Sequence, residues 1–230
     1  MAEGADDALA REAGRAVFGQ GFELAERYAE LLCQQGIEWG LLGPREADRI
    51  WSRHLLNSAS LAPFLSAGAE VVDVGSGAGL PGVPLAIARP DVSVVLLEPL
   101  LRRTRFLELV VSELGLGARV RVLRGRAEDV AGSGGRGKSG VGRGPEEGSG
   151  TGLLADVVVC RAVAPLDRLA RWCVPLMSRD GQLLALKGDG AVEEVARTTD
   201  ALVGLGVRAE VLEVEAAPGE RAVVVRVRRV

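Results

Sequence analysis

Between Val71 and Gly82 the chain reads Val-Val-Asp-Val-Gly-Ser-Gly-Ala-Gly-Leu-Pro-Gly, an apolar run that holds one acid and leads into glycines at alternate positions. Glycine lets the backbone turn sharply and lets a ligand approach the peptide planes with no Cβ in the way. A helix after such a turn points its free N–H groups back at the ligand. Pro84 suits the first turn of that helix, where no N–H is needed. Two cofactor classes use turns of this kind. The dinucleotide spelling GxGxxG is met by Gly77, Gly79 and Gly82, but out of register with the end of the apolar run. The methyl-donor spelling, a strand acid followed by GxGxG, is met by Asp73, Gly75, Gly77 and Gly79 and begins where the strand should end. The second is the better match, and it makes S-adenosylmethionine the expected cofactor.

Glu98 closes the next apolar run roughly 20 residues past the turn, where a carboxylate can accept hydrogen bonds from both ribose hydroxyls. Gly125-Arg126-Ala127-Glu128 follows the third run, where class I methyltransferases cradle the adenine. After the fourth run comes Cys160-Arg161-Ala162-Val163-Ala164-Pro165, with neither the Asp/Asn-Pro-Pro-aromatic signature of amine methylation nor a cysteine after a proline. Cys160 ends an apolar strand and is expected to point into the core. His54 is a candidate base or RNA contact on a helix face.

These residues need a scaffold. From Glu70 onward short apolar runs alternate with helical stretches: strands at 71–74, 92–98, 120–123, 154–160 and 181–187, and helices at 84–89, 101–114, 166–177 and 191–205. Such alternation predicts βαβ units and a parallel sheet covered on both faces. The last two runs, 207–214 and 222–227, are separated by too few residues for a crossover and predict a hairpin around Pro218-Gly219. The expected fold is therefore α/β, a Rossmann-like, mostly parallel seven-stranded sheet ending in an antiparallel hairpin, as in class I methyltransferases. Ahead of it, helical periodicity at 16–35 and 47–65, joined by a Gly43-Pro44 turn, predicts an N-terminal helical cap. The expected organisation is a cap over residues 1–66 and a methyltransferase domain over 67–230, with a glycine-rich mobile insert at 131–152.

Composition narrows the class. The net charge of −3 over 230 residues argues against a protein that coats nucleic acid nonspecifically, while leaving room for a local basic face. Three scattered cysteines and one histidine form neither a disulfide framework nor a metal cluster, so no metal is expected. No apolar run is long enough to span a membrane, and residues 1–15 carry acids where a signal peptide needs an apolar stretch, so the expected location is cytoplasmic. Gly132 to Ser139 spells the phosphate-loop pattern GxxxxGK[ST], but no strand precedes it and no helix can follow it.

Taken together the chain resembles the RsmG/GidB family of 16S ribosomal RNA guanine-N7 methyltransferases, most like its actinobacterial members. The resemblance spans Arg45 to about Gly188. It is carried by Arg53-His54-Leu55-Leu56-Asn57-Ser58, by the run from Asp73 to Ile87 with its Leu80-Pro81-Gly82 extension, by Arg102-Arg103 with Arg105-Phe106-Leu107, by Cys160-Arg161-Ala162, and by Leu186-Lys187-Gly188. It implies that Gly75 and Leu80 belong to the cofactor loop, where the spacing already placed Gly77, that Ala127 and Glu128 flank the adenine, and that Arg161 closes the site, beside Glu98 as the expected ribose acceptor. It also implies that the partner is 16S rRNA or the small ribosomal subunit, with Arg102, Arg103, Lys187 and His54 as RNA contacts. The chain departs from many relatives at Gly40-Leu41-Leu42-Gly43, where they carry Asn-Leu-Thr. The competing readings are a small-metabolite methyltransferase and a noncatalytic RNA-binding module that keeps the fold.

Overall fold

Alternation along each strand sends successive side chains to opposite faces of a sheet, and two hydrophobic layers result. Val71, Val94, Leu96, Val157, Val159, Leu184 and Leu186 face one layer. Val72, Val74, Leu97, Val158, Cys160, Leu183 and Ala185 face the other. The computed structural model of the protein describes residues 2–131, 152–161 and 164–230. The phosphate-loop-like run at 132–139, nearly all of the predicted insert, and Ala162 and Val163 lie outside the described residues.

The strands are β1 (Glu70–Val74), β2 (Ser93–Glu98), β3 (Val120–Arg124), β4 (Ala155–Arg161), β5 (Met177–Lys187), β6 (Val207–Ala217) and β7 (Glu220–Arg229). They form one sheet in the order β3-β2-β1-β4-β5-β7-β6. Pairing is parallel from β3 to β5, and β7 runs antiparallel to both β5 and β6. The order reverses between β1 and β4, and an open α/β sheet binds its ligand at such a switch point, beyond the carboxyl ends of the strands. The hairpin is tighter than the sequence suggests, because the strands extend to Ala217 and Glu220 and leave Pro218-Gly219 as the turn, with Gly219 at φ 77°.

The helices are α1 (Ala2–Phe18), α2 (Phe22–Leu31), α3 (Asn57–Ala59), α4 (Gly82–Ala88), α5 (Leu101–Glu113), α6 (Ala127–Val130), α7 (Leu166–Cys173) and α8 (Ala191–Gly204). A π-helical turn, Ile50–Leu56, leads into α3. Helices before the sheet join α4 and α5 on the face of Val71 and Val159, whereas α6, α7 and α8 cover the face of Val72 and Cys160. Phe22, Tyr28, Leu31, Trp51 and Leu55 are buried in the same hydrophobic layer as the sheet. At roughly 1.5–3 kcal/mol for each large apolar side chain buried, that contact outweighs any intrinsic helix preference in this segment.

Several elements differ from the periodicity reading; the helix expected over 47–65 is instead a 3-10 turn (Pro44–Arg49), the π-helical turn, the short α3 and a second 3-10 turn (Ala62–Phe64). Residues 16–35 are two helices, broken by a 3-10 turn at Gly19–Gly21 in which Gly19 adopts φ 51°. Residues 2–15 are helical, although their buried stripe is Ala10, Gly14 and Phe18, mostly too small to register as apolar periodicity. The helix expected over 166–177 stops at Cys173, because Pro175 cannot continue it, and Met177 already opens β5.

The 3-10 turn fixes how α2 meets α4. A Cβ on Gly21 would lie 2.8 Å from the Ile87 carbonyl oxygen, whereas one on Gly19 meets nothing within 4 Å. Gly21→Ala is therefore expected to destabilise by about 1–3 kcal/mol through overpacking. Gly19→Ala should cost only about 1 kcal/mol of backbone strain. Urea denaturation midpoints of the two variants check the order.

Candidate active site

β1 runs directly into the glycine turn because its pairing with β2 is extended by main-chain bonds. The N–H groups of Gly75 and Ser76 donate to the Leu97 carbonyl at 2.8 and 3.2 Å. Gly75, Gly77 and Gly79 hold φ of 72°, 59° and 102°, a region that only glycine enters freely. Strand parity puts Asp73 on the face of the N-terminal helices, where its Oδ2 accepts the N–H of Gly82 at 3.0 Å. That bond ties the strand to the first residue of α4, and a Cβ on Gly82 would lie 2.7 Å from the same oxygen. From below, the Tyr28 hydroxyl donates to the Ala78 carbonyl at 2.8 Å. Burial holds the Tyr28 phenol well above its ordinary pKa, so it remains a donor.

Glu98 ends β2 almost fully buried. Its Oε2 accepts the Gly77 N–H at 3.0 Å and its Oε1 the Leu100 N–H at 3.0 Å. A carboxylate has about four acceptor positions, so each oxygen keeps one for a ligand hydroxyl. The Arg103 guanidinium stands 3.7 Å away.

A cavity of about 490 Å³ opens over these groups. That is within the roughly 300–1,000 Å³ of ordinary small-molecule sites. Every predicted cofactor residue lines it: Gly75, Gly77, Leu80, Glu98, Ala127, Glu128 and Arg161. Of the predicted RNA contacts, His54 and Arg103 line it and Arg102 does not, although Arg102 is exposed on α5 nearby. Lys187 lies away from the cavity. Its ammonium donates to the Ala164 carbonyl at 2.9 Å and pairs with Glu194 at 3.0 Å, holding β5 to α8.

The Arg161 side of the cavity holds several buried polar atoms. Arg161 Nη1 is buried without a hydrogen-bond partner among the described residues, as are His54 Nδ1 and Asp73 Oδ1. Burial, and then the nearby Arg161 charge, push the His54 pKa down to about 4, so the ring is neutral at pH 7. Its Nε2–H is directed at Glu46 Oε2, 2.7 Å away. Burial raises the Glu46 carboxyl, but that bond and the Arg53 charge outweigh it and hold the group below its ordinary pKa. Cys160 faces the opposite layer of the sheet, as its strand position suggests. The Cys173 thiol beside it, together with burial, keeps its thiol well above the ordinary range, which leaves no thiolate for nucleophilic attack.

Several residues in and around the cavity carried no signal in the sequence. Tyr28 and Trp172 sit in helices whose periodicity reads as core, and Glu46 reads as a solvated acid. Trp172 lines the cavity with the Arg168 guanidinium stacked on its ring at 4.7 Å. Leu41 and Leu42 also line it. Among the described residues no group of three or more His, Cys, Asp or Glu side chains is placed to hold a metal ion, and no helix is long and apolar enough to cross a membrane.

Sheet order, hairpin and glycine turn define the class I methyltransferase fold. M. jannaschii TYW2, solved in complex with AdoMet, superposes with a TM-score of 0.55 at 18% identity, covering 79% of this chain and 78% of that one. The ribosomal protein L11 methylase of Lactobacillus delbrueckii subsp. bulgaricus does so with a TM-score of 0.53 at 16% identity, over 76% of each chain. Family-level similarity is closer: the rRNA small subunit methyltransferase G (GidB) family matches residues 22–224. The protein named ribosomal RNA small subunit methyltransferase G of Salinispora tropica is 56% identical over 80% of this chain and 71% of its own. Its namesake in Mycobacterium marinum is 51% identical over 85% of this chain and 78% of its own. The chain belongs to the rRNA small subunit methyltransferase G family.

Burial raises the Asp73 pKa to about 7 from 3.8, offset in part by the Gly82 N–H. The folded state therefore holds a proton that the unfolded chain releases near pH 4, and the stability this proton confers is lost as pH rises towards about 7. Asp73→Asn keeps an acceptor for Gly82 and removes the titration. The unfolding free energy of the wild type relative to this variant should fall between pH 4 and pH 7, as read from urea curves at several pH values. A difference that is flat in pH contradicts the assignment.

Proposed function

We propose that this protein transfers the methyl group of S-adenosylmethionine to N7 of a single guanine in the decoding region of 16S rRNA, in the cytoplasm. Membership of the rRNA small subunit methyltransferase G family favours this over a metabolite enzyme or a noncatalytic module. The observation that carries the cofactor part is the convergence of Gly75, Gly77, Leu80, Glu98, Ala127, Glu128 and Arg161 on one cavity. Residues 1–66 serve as its cap.

The residues present suit this cofactor. Glu98 has spare acceptor positions for ribose hydroxyls beside the N–H groups it already holds. The Gly75–Gly79 turn admits a ligand to its main chain, and Ala127 leaves room for a flat adenine. The bound cofactor supplies an electrophilic methyl group on a sulfonium. Arg161 offers an unpartnered donor to the substrate side of the cavity.

Guanine N7 has a lone pair and no proton to remove, so its methylation needs alignment and exclusion of water rather than a strong base. Two features support that reading: burial and the Arg161 charge hold the His54 pKa down at about 4, so its open Nδ1 is a weak base, and Cys160 is on the other side of the sheet. Arg53, Arg102, Arg103 and Arg126 are exposed around the mouth and suit phosphate contacts, which orient an RNA without reading its sequence.

Labelled S-adenosylmethionine with small ribosomal subunits or 16S rRNA should place one methyl group on a guanine, and borohydride-aniline cleavage should break the chain there, as it does at N7-methylguanine. Label on another atom or none in RNA contradicts the proposal. In Glu98→Gln the new amide must meet a main-chain N–H at Gly77 or Leu100. The KM for S-adenosylmethionine should rise about tenfold or more, the cost of one unsatisfied buried group.

A further inference from the structure

α1 precedes the stretch matched by the family, which begins at residue 22, yet it grips a wall of the cavity. Asp7, half-buried on α1, accepts main-chain N–H groups at Oδ1 from Trp51 at 3.0 Å and Ser52 at 2.9 Å, and at Oδ2 from Trp51 at 3.3 Å. These N–H groups open the π-helical turn Ile50–Leu56, whose own N-cap, Arg49, supplies no side-chain bond. The first N–H groups of a helical turn have no partner within it, so a carboxylate from another element satisfies them and meets the positive end of the local dipole.

The grip has a second component. The Trp51 ring stacks on Phe22 at 5.5 Å and meets Phe18 edge-on at 6.3 Å. A Cβ on Gly14 would come within 2.8 Å of that ring, so α1 approaches as closely as its backbone permits. The hydrogen bonds fix where the turn begins and the ring packing fixes its rotation. The next two residues of the turn are Arg53, exposed, and His54, in the cavity wall. Glu46 holds both, at 3.4 and 2.7 Å.

We infer that α1 is a positioning element for the RNA acceptor, with Asp7 as the positioning residue that sets Arg53 and His54 beside Arg161. The inference rests on the proposed RNA substrate for its catalytic consequence, but not for the clamp itself. It predicts a separation of effects, because neither the glycine turn nor Glu98 touches α1 through these bonds. Removing the carboxylate should disturb acceptor use and leave cofactor binding alone.

Wild type, Asp7→Ala and Asp7→Asn are compared by hydrogen exchange, S-adenosylmethionine titration and methylation of small ribosomal subunits. Asn retains an acceptor oxygen and should rescue. In Asp7→Ala the Trp51 to His54 amides should exchange faster while those of β1 do not, and the cofactor Kd should stay within about twofold. The kcat/KM for subunits should fall about tenfold, in keeping with loss of one helix cap. Unchanged exchange at Trp51, or unchanged kcat/KM, overturns the inference. So does a parallel loss of cofactor affinity, turnover and thermal midpoint, which means α1 is needed only for folding. A wild type that methylates no small-subunit RNA refutes the proposed function, and the exchange arm then still decides whether Asp7 clamps the turn.

Discussion

The Glu98 carboxylate, buried at the end of β2, accepts the N–H of Gly77 in the turn that follows β1, and the rest of the site depends on that bond. An isolated buried carboxylate would be expelled or neutralised. Here main-chain N–H groups from two loops solvate it, so satisfying the charge and shaping the turn are the same event. The parallel register of β1 on β2 brings the two loops to one edge. Asp73, one strand over, also accepts a main-chain N–H, that of Gly82 at the start of α4, although burial raises its pKa to about 7. Both acids act on backbone, and this is why the glycines around them have so little room to change.

Placing charged groups against a buried wall has an electrostatic consequence. The Arg161 charge and burial together keep His54 neutral, and Glu46 absorbs its remaining donor. The acceptor side of the cavity thus combines the Arg161 charge with a histidine–carboxylate pair whose open His54 Nδ1 is only a weak base, its pKa held down at about 4. A methyl transfer to an atom that already carries a lone pair asks for no more than this, whereas a transfer to a hydroxyl or amine would need a proton acceptor.

Much of the fold was legible because parallel strands buried on both faces read as short apolar runs, and β1, β2, β4 and β5 are such runs. The cofactor side of the site was legible for a related reason, since positive φ at Gly75, Gly77 and Gly79 demands glycine and leaves a visible spacing. What sequence could not yield were contacts made across long separations by ordinary residues. Tyr28 reaches Ala78, and Asp7 reaches Trp51, with nothing local to mark either. α1 escaped notice because small residues form its buried face, and α6 because one helical turn has no period to detect. Lys187 looked available for phosphate, since a strand-end lysine carries no sign of an acid seven positions further along.

The Gly75–Gly79 turn and Glu98 form the proposed site for S-adenosylmethionine. Isothermal titration of the folded protein with S-adenosylmethionine tests it most directly, with Gly75→Asp as the control, because an aspartate there brings both a Cβ at positive φ and a charge into the cavity. The wild type should bind at micromolar concentration, and the variant, while remaining folded, should not bind. Absence of binding by a folded wild type, with and without small-subunit RNA, would contradict it, and so would a Gly75→Asp protein that binds as tightly as the wild type.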